Sequence, residues 1–368
     1  MEKQDKVLKN IHKKVSATTL GTKKNDECYT SMQDILNELA YWADLGKFNS
    51  KNIICPCDWD ITDDENIYGI TIIYKDEGVE VFGNNVYKAV KTVTLDLWSD
   101  EEIPTVTKIE LKEEEIEDFL REKLTCNFIR VLTQNARAWG IRSITASGYN
   151  PATGKGTPFQ DVDYSKYDIC ITNPPFSLYG EFMKCIIDKI DFICLAPFLN
   201  RVTPSVGLPL MLRQAYLGHC YGIHINFNNP TIENKFNTKI VLCDWITSFN
   251  EAQLDRDANT INHNIDYNLY KDEYTIITGV TMKDGTHPIR VPGCQFPSNY
   301  DGWMFSDISV IDQISFNEYD WYGTAFKGYY NKTNREMNPF LHSCSDEMLR
   351  VNGKKMFHGV VFRKKQVK

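Results

Sequence analysis

Tyr167-Asp168-Ile169-Cys170-Ile171-Thr172-Asn173-Pro174-Pro175-Phe176 runs from a short apolar segment straight into a rigid, proline-fixed turn. The segment Asp168 to Thr172 is rich in β-branched residues and bounded by turn formers, which predicts a short buried strand. The chain then leaves that strand at Asn173. In open α/β sheets ligands collect outside the carboxyl ends of the strands, so the Asn-Pro-Pro-Phe tetrapeptide falls where chemistry is expected.

Neighbouring segments supply the rest of such a sheet. Upstream, Asn52 to Asp58 reads as a first buried strand ending in a Pro-containing acidic loop, and Ile141 to Ser147 as a second. Downstream, Phe192 to Pro197 is another. Helices alternate with them: Ile35, Leu36, Leu39, Ala40 and Trp42 share one face behind an N-cap at Thr30 or Ser31. Ile116 to Leu132 keeps the helical period up to a stop at Gly140, and Phe182, Ile186 and Ile187 mark a helix after the tetrapeptide. This rhythm predicts a Rossmann-like α/β fold, its sheet mostly parallel and covered by helices on both faces.

Two stretches depart from the rhythm. Residues 60–110 alternate in hydrophobicity around Lys75-Asp76-Glu77-Gly78, the pattern of a β-hairpin, and form a β-rich insertion. Residues 219–227 and 238–246 are strands joined by a polar loop, so the sheet is expected to close with an antiparallel strand. From about residue 250 the chain becomes aromatic and turn-rich, which divides it into a catalytic domain, 1–250, and a C-terminal region, 251–368. A length of 368 residues suits two domains.

Composition narrows the class. The opening Met1-Glu2-Lys3-Gln4-Asp5-Lys6 has no apolar signal-type run and no later stretch is long and apolar enough to span a bilayer, which predicts a soluble, cytoplasmic protein without a membrane partner. Eleven cysteines are scattered without paired CxxC spacing and read as reduced thiols, with no metal site expected. Cys55 and Cys57 are expected on one face of the first strand. A formal net charge of −8 argues against chain-wide attraction to polyanions. One local basic run stands out, Arg350, Lys354, Lys355, Arg363, Lys364, Lys365 and Lys368, with no acidic residue between them. It suits either phosphate contact or a solvated tail.

The tetrapeptide has a chemical meaning. An amine conjugated to a ring or a carbonyl is a poor nucleophile, because its lone pair is delocalised. Two acceptors aimed at its hydrogens draw that lone pair back to nitrogen, and the Asn173 amide oxygen with the Pro174 carbonyl supplies such a pair. Pro174 and Pro175 remove two backbone donors and fix φ, which keeps the acceptors rigid. Phe176 offers a ring on which a base can stack. The tetrapeptide taken alone also fits an ordinary turn.

With its surroundings, the chain resembles the EcoRI-type adenine-specific DNA methyltransferases. Asn173-Pro174-Pro175-Phe176 matches the catalytic motif of amino-methylating DNA methyltransferases. Asp26-Glu27-Cys28-Tyr29-Thr30 resembles the family's segment before the first helix, Ile54-Cys55-Pro56-Cys57-Asp58 its cofactor-binding strand, and Phe192 to Pro204, with Asn200-Arg201, the strand and loop after the catalytic helix. The resemblance covers about 25–60 and 115–250, with an echo at Val351 to Lys355. It implies transfer of a methyl group from S-adenosylmethionine to the N6 amine of a flipped adenine in double-stranded DNA. It also implies a restriction-modification setting with a cognate endonuclease, or a solitary or phage modification system. Tyr29, Thr30, Pro56, Cys57, Asp58 and Asp161 are the implied cofactor residues, with Asp163 an equal candidate to Asp161. Asn200, Arg201, Lys354, Lys355, Arg363, Lys364 and Lys365 are the implied DNA contacts, and the C-terminal region is the implied target-recognition element.

Departures keep alternatives open. The Gly-rich turn common after the first strand of methyltransferases is replaced by Pro56-Cys57-Asp58-Trp59-Asp60, and the second strand ends Ser147-Gly148-Tyr149-Asn150 without an acidic residue for a ribose. Asn-Pro-Pro-aromatic motifs also serve N5-glutamine protein methyltransferases. N4-cytosine DNA methyltransferases usually carry Ser or Thr before the proline pair, so Asn173 favours adenine. A non-catalytic DNA-binding relic of the fold is the alternative of a different class.

Overall fold

The computed structural model describes residues 30–58, 69–76, 79–84, 108–111, 126–149, 156–202, 205–211, 213–228, 238–258, 265–278, 280–282, 284–292, 296–307, 310, 318–324, 341–344, 350–351, 354–355 and 359–365. Tyr29, most of the 60–110 stretch and the 116–125 part of the expected long helix lie outside them, and the described helix begins only at Asn127, after a non-helical Cys126. The chain divides into two compact units, one of residues 1–197 and 218–248, the other of 198–217 and 249–368.

In the first unit, α1 (Met32–Asp44) starts at Ser31, whose hydroxyl accepts the Asp34 N–H at 3.1 Å. An Asp in the first turn adds a favourable charge at the helix N-terminus. Ile35, Glu38, Leu39 and Trp42 form its buried stripe, the i, i+3, i+4, i+7 spacing of a core-facing helix. Strand β1 (Asn52–Cys55) follows, then β2 (Gly69–Tyr74), β3 (Val79–Asn84) and β4 (Lys108–Leu111). Helix α2 (Asn127–Asn135) packs on α1 and gives way to a turn that ends at Gly140, φ +65°. The remaining elements are β5 (Ser143–Ala146), β6 (Ile169–Thr172), α3 (Tyr179–Ile186), β7 (Asp191–Pro197), β8 (Ile223–Asn228) and β9 (Thr238–Thr247).

Their order across the sheet is β4-β3-β2-β5-β1-β6-β7-β9-β8. The central four, β5, β1, β6 and β7, are parallel. β1, β6 and β7 are largely apolar and β5 is buried along its whole length, as strands of a parallel sheet covered on both faces are. β9 runs antiparallel to β7, and β8 antiparallel to β9. On the other side, β2 to β4 extend the same sheet as an antiparallel meander on β5.

This order fixes where a ligand can sit. From β1 the chain steps first towards β5 and later to β6 on the opposite side, so the strand order reverses between β1 and β6. Their carboxyl ends, Cys55 and Thr172, flank the crevice that such a reversal opens. One expectation is corrected here. Strand β1 ends at Cys55 and Pro56–Cys57 form a turn, so Cys55 and Cys57 do not share a strand face. The proline stops the strand by removing a ladder donor.

The second unit contains a four-stranded sheet ordered Ile289–Arg290, Met304–Asp307, Gly359–Lys364, Tyr319–Thr324. Its core is aromatic: Phe296 meets Phe362 and Tyr319 edge-on at 5.3 and 5.2 Å between centroids. Such pairs add about 0.5–1.5 kcal/mol beyond simple burial.

Candidate active site

Asn173 follows directly on the last residue of β6. The residue is half-buried, and its Oδ1 is shielded from solvent. Pro174 is buried, and Pro175, at φ −57° and ψ 122°, turns the chain into the 3-10 turn Phe176–Leu178 that leads into α3. Tyr179 and Phe182 of α3 are buried and hold that helix against the sheet. Phe176 is half-buried, with its ring at 85° to that of the fully buried Phe227 and 5.9 Å between centroids. That edge-to-face contact fixes the plane of the Phe176 ring.

Across the crevice, the loop after β1 is braced from three directions. Ser147 donates its hydroxyl to the Pro56 carbonyl at 2.7 Å, and the Gly148 N–H reaches the Asp58 carbonyl at 3.2 Å. Thr172 donates its hydroxyl to Asp58 Oδ2 at 2.7 Å, and Cys126 directs its thiol at Asp58 Oδ1 at 3.4 Å. Cys126 is the N-cap residue of α2, and the next residue, Asn127, donates its side-chain amide to the Thr30 carbonyl at 2.8 Å. The segment before α1, the loop after β1 and the strand carrying Asn173 are thereby linked through the start of α2. Burial, and then the Asp58 charge, push the Cys57 thiol well above its ordinary range, so it stays protonated.

The Thr30 hydroxyl is buried and makes no hydrogen bond. A buried hydroxyl left this way costs free energy and marks a place where a ligand polar group fits. Asp58, buried at the same network, contributes a carboxylate able to receive an ammonium group.

The segment leading to β6 approaches closely too. Thr157 N–H bonds to the Ser147 carbonyl, and a Cβ on Gly156 would lie 2.1 Å from the Gly148 carbonyl oxygen, so only glycine passes there. Asp161 beyond it is exposed. Asp163 is engaged locally: the Ser165 hydroxyl, with Lys166 beside it, holds its carboxyl below the usual carboxylate range. Of the two acids, Asp161 is the one not tied into a local cap.

Sequence reasoning singled out Asn173 to Phe176, Pro56 to Asp58 and Thr30, and the structure brings these together at one edge of one unit. It missed Thr172, Cys126, Asn127 and Ser147. Only Thr172 carried a signal, a hydroxyl at the end of an otherwise apolar strand.

The expected DNA residues fall differently. Asn200 lies half-buried in the 3-10 turn Phe198–Val202 of the second unit. Arg201 is 0% exposed, with its guanidinium carbon 4.3 Å from the Phe198 ring centroid. A side chain so enclosed packs inside the protein rather than meeting a phosphate. Arg363 lies 4.2 Å from the Trp303 ring centroid, and Lys364 donates to the Ser298 carbonyl at 2.7 Å. Lys365 is exposed. Lys354 and Lys355 form a short strand paired with Arg350–Val351.

A mixed sheet with a parallel centre and its site at the strand reversal, and an acceptor-bearing turn at the carboxyl end of β6, is consistent with a methyltransferase fold. The family model described as adenine-specific methyltransferase EcoRI matches residues 18–365, and the chain belongs to that family. It is an adenine-specific DNA methyltransferase. Neither the curated proteins nor the solved structures contain a match. Among the described residues no helix is long and apolar enough to cross a membrane.

Proposed function

We propose that this enzyme transfers a methyl group from S-adenosylmethionine to the N6 amine of an adenine flipped out of duplex DNA. The observation that carries the proposal is the position of Asn173 to Phe176 at the carboxyl end of β6, across the reversal point from Asp58. The family supports adenine over the glutamine and cytosine substrates that the motif alone leaves open.

The cofactor, when bound, supplies an electrophilic methyl group on a sulfonium. Thr30, Pro56, Cys57, Asp58 and Asp161 are the residues that would hold it, with Tyr29, outside the described residues, as a further candidate. The chemistry of this set fits: an acidic group for an ammonium, and an unpartnered buried hydroxyl. Asn173 Oδ1 and the Pro174 carbonyl accept from the two amine hydrogens and restore the lone pair to nitrogen. No residue needs to ionise for this step, and the proton that the methylated amine must shed passes to solvent. Phe176 stacks on the flipped base, a contact worth about 1–3 kcal/mol, and the rigid turn presents the amine in one orientation, which lowers the entropic part of the barrier.

The second unit serves target recognition, with Asn200, Lys354, Lys355 and Lys365 as the DNA contacts. Arg363 and Lys364 are engaged with Trp303 and Ser298 and contribute to DNA binding only from those positions. We place the enzyme in the cytoplasm as part of a restriction-modification pair or as a solitary or phage modification enzyme.

The test is transfer of labelled methyl groups to duplex DNA with identification of N6-methyladenine. Asn173→Ala should abolish transfer while cofactor binding, read by calorimetry, persists. Full activity in that variant overturns the assigned role.

A further inference from the structure

We propose that Thr172 is a positioning residue that acts through Asp58, setting the cofactor's acidic partner in register with the amine acceptors. The proposal rests on the reading that this edge of the sheet holds S-adenosylmethionine. Thr172 is fully buried and closes β6, where its backbone pairs with Cys194 of β7. It therefore cannot drift. Asp58 lies three residues past the end of β1, in the loop whose backbone Ser147 and Gly148 also hold.

A fully buried position in a strand is ordinarily filled by Val or Ile, because an unpaired hydroxyl there is costly. Here the hydroxyl is aimed at a carboxylate at 2.7 Å, within the range of charge-assisted bonds. The residue after Thr172 is Asn173. One peptide thus separates the side chain that orients Asp58 from the side chain that accepts the substrate amine. This bond ties the Asp58 carboxylate itself to the strand that leads into Asn173, and in-line transfer depends on that relation. Cys126, on the other oxygen of Asp58 at 3.4 Å, is a weaker thiol donor than the Thr172 hydroxyl.

The experiment uses the full chain. Thr172→Val keeps the shape and removes the bond, Thr172→Ser keeps the bond, and Asp58→Asn removes the partner's charge. Thr172→Val should raise the Kd and KM for S-adenosylmethionine by about tenfold, the usual scale for a hydrogen bond to a charged group, with a smaller change in kcat. Thr172→Ser should bind as the wild type does. In an Asp58→Asn background, adding Thr172→Val should change the Kd by less than about twofold, since the two residues act as one unit. A destabilised fold would instead lower the active fraction and kcat with KM unmoved, and that pattern overturns the proposal. So do wild-type affinity in Thr172→Val and penalties that simply add. Should Thr172→Val not fold, Thr172→Ala goes through the same cycle. Failure of the wild type to bind the cofactor removes the underlying reading as well, whereas a binding wild type with an equally binding Thr172→Val removes this inference alone.

Discussion

Asn127 donates its side-chain amide to the Thr30 carbonyl at 2.8 Å across 97 residues of sequence, fastening the segment before α1 to the first turn of α2. Without that donor the Thr30 carbonyl loses its partner at a buried position, which typically costs about 1–3 kcal/mol. Asn127→Ala should therefore lower the melting temperature and weaken S-adenosylmethionine binding together, because Thr30 is freed at its backbone. Asn127→Asp, which cannot donate when ionised, should behave alike. Thermal denaturation and calorimetry check both, and unchanged cofactor affinity in a destabilised Asn127→Ala would separate Thr30 from the cofactor site.

Phe176 is held in plane by Phe227. Phe176→Ala should reduce stacking on the flipped base, seen as an altered fluorescence signal from 2-aminopurine at the target position. Removing a stacking interaction on the scale of about 1–3 kcal/mol corresponds to roughly 5- to 150-fold in handling of the base. Phe176→Tyr should retain most of it. An unaltered signal in Phe176→Ala would remove the stacking role.

Within the basic C-terminal run, Arg363 and Lys364 are engaged and Lys365 is exposed. Neutralising Lys354, Lys355 and Lys365 should flatten the dependence of DNA affinity on salt, by up to about 0.9 in logarithmic slope for each phosphate that a lysine had neutralised. Arg363→Ala should act differently. Its guanidinium stacks on Trp303, whose indole N–H donates to Asp284 at 2.8 Å, so the substitution should lower thermal stability. An unchanged salt slope in the triple lysine variant would count against phosphate binding by these side chains.

What the sequence disclosed follows from how local each feature is. Strand β6 was legible because Ile169 to Ile171 is an apolar run that ends at Thr172 and Asn-Pro; Gly140 was legible as a turn glycine because a positive φ there favours it, although the helix itself already ends at Asn135. The tetrapeptide's place at the sheet edge followed from these. Strand order was less legible, since β2 to β4 enter between β1 and β5 in sequence yet stand at the far side of β5 in the sheet. The bond from Thr172 to Asp58 spans 114 residues, beyond any spacing rule. Arg201 entered as a DNA contact through the family resemblance, and its complete burial beside Phe198 is a feature of packing that no local motif carries. Cys57 misled because Pro56 ended the strand at Cys55, two residues short of what alternation assumed.

Glu38 is the clearest source of pH dependence in stability. It is fully buried in α1 and accepts from Trp42 Nε1 at 2.7 Å, from the His219 N–H at 3.1 Å and from the Cys220 N–H at 2.6 Å. Burial outweighs these donors and pushes its carboxyl from 4.5 up to about 7. A folded-state value above the ordinary one means that the folded protein holds the proton more tightly than the unfolded chain. The stabilisation is therefore complete below about pH 4.5 and is lost as the pH rises through about 7. Glu38→Gln, neutral at every pH, lacks this dependence. The melting temperature of the wild type relative to Glu38→Gln should fall between roughly pH 5 and pH 8, a window that brackets the shifted carboxyl. A difference that stays flat across that window would show that the three donors keep Glu38 ionised throughout.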